Sequence, residues 1–321
     1  MDCANLNDII KSAKNILLIS HINPDGDTLG SMCGFYNAIK TNFKKKCDMA
    51  VLTKVPKIYE FLPGINFTKH IDDIDKSLVY DLVICLDIAA CNRFEEAKIL
   101  FNKAEFTVNI DHHKTNTNYA KLNIVDANAS SAGELLYSIM KSLNWEINID
   151  TAICLYTAVL TDTGSFRFSN TTPTTFKTAA ELVALGVNAV DIYKNCYENS
   201  SKNMVMFQAN CISNAKFVDD DKVVYSIIYK KDIEKFNTNE DYTEGLAEKL
   251  RAIESTKVSF IVKQISSRIS KVSMRSKDID VSEVCAIFGG GGHSMAAGCV
   301  IKAAPETATK KILEEIRKRK F

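Results

Sequence analysis

The sequence predicts an α/β protein in two parts: an N-terminal parallel sheet covered by helices, and a smaller C-terminal α+β domain. Through about residue 190, short β-rich runs alternate with helical stretches, the pattern of a parallel sheet with helices on its faces. Beyond residue 214 the runs become paired strands closed by a helix. A length of 321 residues, 46% hydrophobic and 25% charged, suffices for two cores. The expected boundaries are a first domain at 1–187, a helical linker at 188–214 and a second domain at 215–321.

In order, NILLIS is a strand, SMCGFYNAIK a helix, and DMAVLT, VYDLVICLD and FTVNID further strands. SAGELLYSIMKSL, TAICLYTAVL and TPTTFKTAAELVAL complete the helical cover. KFVDDDKVVYSIIYK reads as a hairpin around Asp219 to Asp221, KVSFIVKQI and ISKVSMRS as strands, and VSEVCAIF as a short helix before a glycine loop. ETATKKILEEIRKRK ends the chain as a cationic amphipathic helix.

Charge and cysteine usage narrow the function classes. Net charge is +1, which provides no field for gripping long duplex nucleic acid. Residues 215–321 hold 20 Lys/Arg against 16 Asp/Glu, net +4, leaving residues 1–214 at −3. That asymmetry suits metal on one side and an anionic ligand on the other, and equally suits chance variation among solvated faces. Ten cysteines are scattered without a C-x-x-C pair and read as reduced thiols, with Cys85 and Cys154 as small buried hydrophobes. The N-terminal MDCANLNDIIKSAKN is charged where a signal peptide is apolar, and no run has membrane-helix length. A cytoplasmic protein without a membrane partner is expected.

Three strands run directly into polar clusters: NILLIS into His21, VYDLVICLD to Asp87, and FTVNI into Asp111, His112 and His113. In an open parallel sheet the carboxyl ends of adjacent strands share one crevice, where such sheets bind ligands. HINPDGDTLGS adds Asp25 and Asp27, two carboxylates that one short loop can aim at two cations; a Pro/Asp/Gly turn with helix-capping aspartates explains it equally well. Asp162 follows an apolar helix in VLTDTGSFRF. Four of the five histidines, His21, His112, His113 and His293, fall in motif-like loops, and His70 lies elsewhere. This imidazole and carboxylate set without thiolate suits Mn²⁺, Mg²⁺ or similar cations, and two ions sharing a carboxylate suit phosphoester hydrolysis. In GGGGH, Gly289, Gly290, Gly291 and Gly292 let backbone N–H groups approach phosphate, with His293 as a further donor; a tight turn is the alternative. Arg275 and Ser276 add a charge and a hydroxyl. Arg93 and Arg167 are expected in salt bridges, and Phe166 and Phe168 in packing rather than base stacking.

The order of HINPDGD, CLDIAACNR, IDHHKTN and TDTGSFRF resembles the four motifs of the DHH phosphoesterase superfamily. VSMRSKDIDVSEVCAIFGGGGHSMAAGC resembles the glycine-rich signature of its DHH-associated domain. The resemblance spans essentially the whole chain and is nearest the stand-alone branch of nanoRNase/pAp phosphatases and linear dinucleotide phosphodiesterases. It implies an active site in an interdomain cleft, with two divalent cations, Mn²⁺ foremost and Mg²⁺ or Co²⁺ as alternatives. One would be held by His21, Asp25 and Asp87, the other by Asp27, Asp87, His112 and Asp162, with Asp87 bridging. His113 would face the scissile phosphate as a catalytic group, and Asp111 would orient the imidazoles. The glycine loop, His293, Arg275 and Ser276 would hold the substrate.

The implied substrates are very short RNA, linear dinucleotides of the pApA or pGpG type, or pAp; a homodimer is a further implication. An inorganic pyrophosphatase would share the metal motifs but has no nucleoside to hold, whereas GGGGH and VSMRS favour a nucleotide. A non-catalytic nucleotide-binding regulator has no need of the full ligand set.

Overall fold

The computed structural model describes residues 4–238, 243 and 245–319. Two compact units are present, Met1–Asn199 and Ser200–Phe321.

In the first unit, α1 (Ala4–Ser12) precedes β1 (Asn15–Ile19), α2 (Gly26–Phe43), β2 (Lys46–Val51), β3 (Thr68–His70) and β4 (Leu82–Leu86). Then come α3 (Lys98–Lys103), β5 (Phe106–Asp111), β6 (Leu122–Val125), α4 (Ala132–Ser142), α5 (Ile149–Asp162), α6 (Pro173–Ala184) and α7 (Ala189–Tyr197). The strands form one parallel sheet in the order β3-β2-β1-β4-β5-β6. Both faces are covered, so the central strands read as continuous apolar runs. Alternate residues still divide: Ile16 and Leu18 join the core beneath α2, α4 and α5, whereas Leu17 and Ile19 pack with Phe94, Leu100 and Phe101 on the other face.

The expected juxtaposition of NILLIS, VYDLVICLD and FTVNID is realised, since β1, β4 and β5 are consecutive neighbours. Strand order reverses between β1 and β4, because β2 follows β1 on one side while β4 lies on the other. Such a switch point opens a crevice at the strand carboxyl ends. Behind it α2 lies close against α5: a Cβ at Gly30 would stand 2.6 Å from the Cys154 carbonyl oxygen. Glycine is therefore required there to set the depth of the loop that begins α2.

The second unit contains α8 (Lys202–Ser213), β7 (Lys216–Val218), β8 (Val223–Ile228), α9 (Lys230–Lys235), α10 (Leu246–Arg251), β9 (Val258–Ser266) and β10 (Ile269–Ser276). It continues with α11 (Val281–Ala286), β11 (Gly291–His293), β12 (Ala296–Ile301) and α12 (Pro305–Arg317). Its sheet runs β11-β12-β10-β9-β8-β7, antiparallel except for β8 beside β9. The expected hairpin is β7–β8, turning through Asp219, Asp220 and Asp221, all with left-handed backbone. Helix α7 packs against α5 in the first unit, and α8 against α10 and β8 in the second. Among the described residues, no helix is long and apolar enough to cross a membrane. The nine described cysteines are free, and Cys85 and Cys154 are fully buried.

Candidate metal centre

The carboxyl ends of β1, β4 and β5, with the end of α5, bring six side chains together. Ligand atoms of His21, Asp25 and Asp87 lie within 4.8 Å of one another, as do those of Asp27, His112 and Asp162. A third overlapping group joins Asp87, His112 and His113.

Local structure aims each of them. His21 follows β1, and its Nδ1–H donates to the Ile22 carbonyl at 2.8 Å, which turns Nε2 toward Asp87, 3.8 Å from Oδ2. Asp25 is the N-cap of α2, accepting from Thr28 N–H at 3.0 Å. The capping turn expected as the alternative reading of HINPDGD is present, and the same residue lies in one of the clusters that could hold a cation. Asp27, buried in the first turn of α2, accepts the N–H groups of Ala132 and Gly133 at 2.7 and 3.0 Å and the Ser31 hydroxyl at 3.1 Å. The positive end of α4 thereby fixes this carboxylate. His112 directs Nδ1–H to the Ala129 carbonyl at 3.3 Å, and its Nε2 lies 3.5 Å from Asp27 Oδ2, 3.5 Å from Asp87 Oδ1 and 3.7 Å from Asp162 Oδ2. Asp162 ends α5, steadied by Asn170, whose amide reaches Oδ2 at 3.2 Å.

Asp87 stands at the middle. It is 3% exposed, has a left-handed backbone with φ 60°, and receives the Thr28 hydroxyl on Oδ2 at 2.7 Å. Its Oδ1 is buried and accepts no hydrogen bond. A buried carboxylate oxygen left bare is costly unless a positive charge completes it. This oxygen, among imidazole nitrogens and three more carboxylates, fits a divalent cation.

Electrostatics agree. Burial raises Asp27 well above the usual carboxylate range, reinforced by Asp87 and Asp162, and lifts Asp162 to about 7. Burial opposes charge on both Asp87 and His112. The surrounding imidazoles nevertheless hold Asp87 below its ordinary value, and the carboxylates of Asp87, Asp27 and Asp162 push His112 up to about 11. Asp27, Asp162 and His112 thus hold their protons more tightly than usual, whereas Asp87 holds its own less tightly.

His113 differs from His112. Its Nδ1 contacts Asp111 Oδ1 at 2.7 Å, and its side chain is 28% exposed against 13% for His112. Burial works against its charge, but the Asp111 hydrogen bond and the charge of Asp87 outweigh that and keep it above the usual histidine value. Asp111 is fully buried and touches His113 rather than His112.

In the second unit, the glycine loop follows α11. Gly289 has φ 75° and Gly292 φ 144°. A Cβ at Gly290 would stand 2.2 Å from the Gly298 carbonyl, whereas one at Gly291 would meet nothing within 4 Å. The His293 side chain lies outside the described residues. Ser276 and Arg275 both have partners within the second unit. Ser276 is 1% exposed, and its hydroxyl accepts the N–H groups of Asp278 and Ile279, so it closes a turn instead of presenting a hydroxyl to solvent. Arg275 pairs with Glu248, Nε to Oε1 at 2.6 Å, so its charge is already partly answered.

Family models agree with this division of the chain. That of the DHH family N-terminal domain matches residues 15–159, and that of the DHHA1 domain matches residues 220–319. The chain carries a DHH N-terminal domain followed by a DHHA1 domain. A Thermus thermophilus protein named bifunctional oligoribonuclease and PAP phosphatase NrnA is 29% identical, across 97% of this chain and 92% of the relative. A Bacillus subtilis protein of the same name is 29% identical, across 89% of each. The solved structure of an exopolyphosphatase-related protein from Bacteroides fragilis superposes with a TM-score of 0.94 at 25% identity, covering 98% of this chain and 95% of that one.

Several residues of this DHH centre escaped the sequence reading: Thr28, Asn116, Asn170 and the Ala132–Gly133 backbone. The last had a signal, because SSAGE is a capping sequence in which Ser131 caps α4. Arg93 and Arg167 form no ion pair among the described residues. An Arg93 Nη2 lies 3.4 Å from His21 Nδ1, and Arg167 Nε donates to the Gly164 carbonyl at 2.7 Å. Phe166 packs on Phe176 as expected, whereas Phe168 is 44% exposed. His70 is apart from the centre, bonded to the Leu52 carbonyl.

Proposed function

We propose that this chain hydrolyses very short oligoribonucleotides and linear dinucleotides of the pApA or pGpG type to mononucleotides, and removes the 3′-phosphate of pAp. The class, a phosphoric ester hydrolase, follows from its family and from the names of its relatives. The observation that carries the reading is the bare, buried Asp87 Oδ1 inside a cluster of aspartates and histidines. Short RNA and pAp as substrates are supported by relatives named for those activities across nearly the whole chain. The near-neutral net charge supports short substrates over long nucleic acid.

In this reading His21, Asp25 and Asp87 hold one divalent cation, and Asp27, Asp87, His112 and Asp162 a second, with Mn²⁺ the expected ion. Two such cations, when bound, would supply Lewis-acid chemistry for activating water and stabilising the charge that develops in the displacement. The chain's own residues do the rest. Asp111 holds Nδ1–H of His113, so the ring keeps one orientation and a proton to give from Nε2 to the departing ribose oxygen. Backbone N–H groups of residues 289–292, with His293, Arg275 and Ser276, bind the nucleotide end remote from the cut bond. Residues 1–187 are the catalytic domain, 188–214 the linker and 215–321 the substrate-binding domain. Free cysteines support a cytoplasmic setting, and self-association into a dimer belongs to the same reading.

The test is turnover of pAp, pApA, pGpG and RNAs of increasing length, with Mn²⁺, Mg²⁺ or Co²⁺. We expect kcat/KM to fall steeply as RNA lengthens beyond a few nucleotides. Release from pyrophosphate but from no nucleotide would overturn the reading, and absence of any release would leave a binding protein.

A further inference from the structure

The turn after the two histidines contains an amide whose every polar atom is engaged. Asn116 Nδ2 donates to Asp111 Oδ2 at 2.5 Å and to Asn109 Oδ1 at 2.7 Å, while its Oδ1 accepts the Asn118 N–H at 2.7 Å. A backbone donor on the oxygen leaves one orientation for this amide. Asn109 is fully buried on β5, and its Nδ2 is held in turn by the Tyr119 hydroxyl at 2.9 Å and the Ile88 carbonyl at 3.1 Å. The backbone puts Asn116 in place: its N–H closes a turn onto the His113 carbonyl at 3.1 Å, and Thr117 N–H joins the Ala89 carbonyl at 2.9 Å, just past Asp87.

The two Asp111 oxygens are thereby divided, Oδ1 to His113 and Oδ2 to Asn116. That division matters because His113 Nδ1 also lies 3.6 Å from the bare Asp87 Oδ1. A buried carboxylate oxygen that loses its donor is left unsatisfied at a cost in free energy, which favours rotation of the group toward another partner. Rotation of Asp111 would release the His113 ring toward Asp87, tying the proton donor to a carboxylate of the candidate metal centre.

We propose that Asn116, backed by Asn109, is a positioning residue: it locks Asp111 so that His113 is held off Asp87 and aimed at the leaving oxygen. The proposal rests on the reading of His113 as donor to that oxygen. Leaving groups that need no proton should therefore be indifferent to it.

The full chain with Mn²⁺ is assayed on pApA, whose leaving group is a ribose hydroxyl, and on thymidine 5′-p-nitrophenyl phosphate, whose leaving group departs without a proton. For Asn116→Ala we expect kcat on pApA to fall about 10- to 100-fold, with little change in KM, in Mn²⁺ affinity or in kcat on the nitrophenyl ester. His113→Ala should show the same selectivity more strongly, and adding Asn116→Ala to it should cost nothing further, as for residues acting through one another. If Asn116→Ala does not fold by thermal melt, Asn116→Ser, which keeps a small donor, is read by the same ratio of substrates. Equal losses on both substrates, weakened Mn²⁺ binding, or additive losses in the double variant overturn the proposal. If His113→Ala shows no preference between the substrates, the reading of His113 fails and this proposal falls with it. If His113→Ala is selective and Asn116→Ala is not, the assignment of Asn116 alone is lost.

Discussion

Asp87 is buried, left-handed and bare at one oxygen, a combination a protein keeps where strain and desolvation serve a site. Asp87→Ala is expected to abolish Mn²⁺-dependent hydrolysis in a chain that still melts cooperatively; normal turnover would remove it from the bridging position. His113 should behave differently. His113→Ala is expected to retain the cations, measured by calorimetry, while turnover of dinucleotides falls by about 10²- to 10⁴-fold. Loss of cation instead would make it a ligand, as its membership of a third cluster allows. The residues proposed for these roles could be singled out because several imidazoles and carboxylates fall together at the ends of neighbouring strands. Their supports could not. Asp27 is held by backbone N–H groups more than one hundred residues away, and a backbone donor leaves no mark in side-chain identity. Ser276 shows the converse, a hydroxyl beside an arginine that looked outward and is sealed in a turn.

At the scale of elements, the apolar runs of β1, β4 and β5 were readable because strands buried on both faces are continuous in hydrophobicity. Short β3 and β6 passed unnoticed, since three or four residues carry no period. Glycines here separate packing from ligand access. Gly30→Ala forces α2 away from α5 and should cost about 1–3 kcal/mol, read as a lower Tm. In the second unit Gly290→Ala should likewise lower Tm, by collision with the Gly298 carbonyl, whereas Gly291→Ala should leave Tm unchanged. If the loop binds nucleotide, Gly291→Ala raises KM, because the methyl occupies space that the protein itself leaves open. Unchanged KM would point to a turn without that role.

For the molecule as a whole, protons and cations compete for the same atoms. Asp162 at about 7 and His112 at about 11 must lose their protons before they can ligate. Because both values are raised, protonation is favoured as pH falls, so cation affinity should rise with pH, most steeply through the neutral range. Titration with Mn²⁺ at pH 6, 7 and 8, with proton release measured in buffers of different ionisation enthalpy, checks the sign; affinity independent of pH would contradict it. Two-part organisation was visible in the change from alternating to paired strands, and the position of the site followed from three strands ending in polar clusters. Strand order was not visible, for it depends on which apolar faces meet, and many orders bury the same runs. That order also has a consequence for synthesis. Side chains from residues 21 to 162 converge where β1 meets β4, so a growing polypeptide cannot assemble the cluster until the end of α5 has left the ribosome. A chain stalled before Asp162 would lack that carboxylate, and full capture of metal would therefore report that α5 is complete.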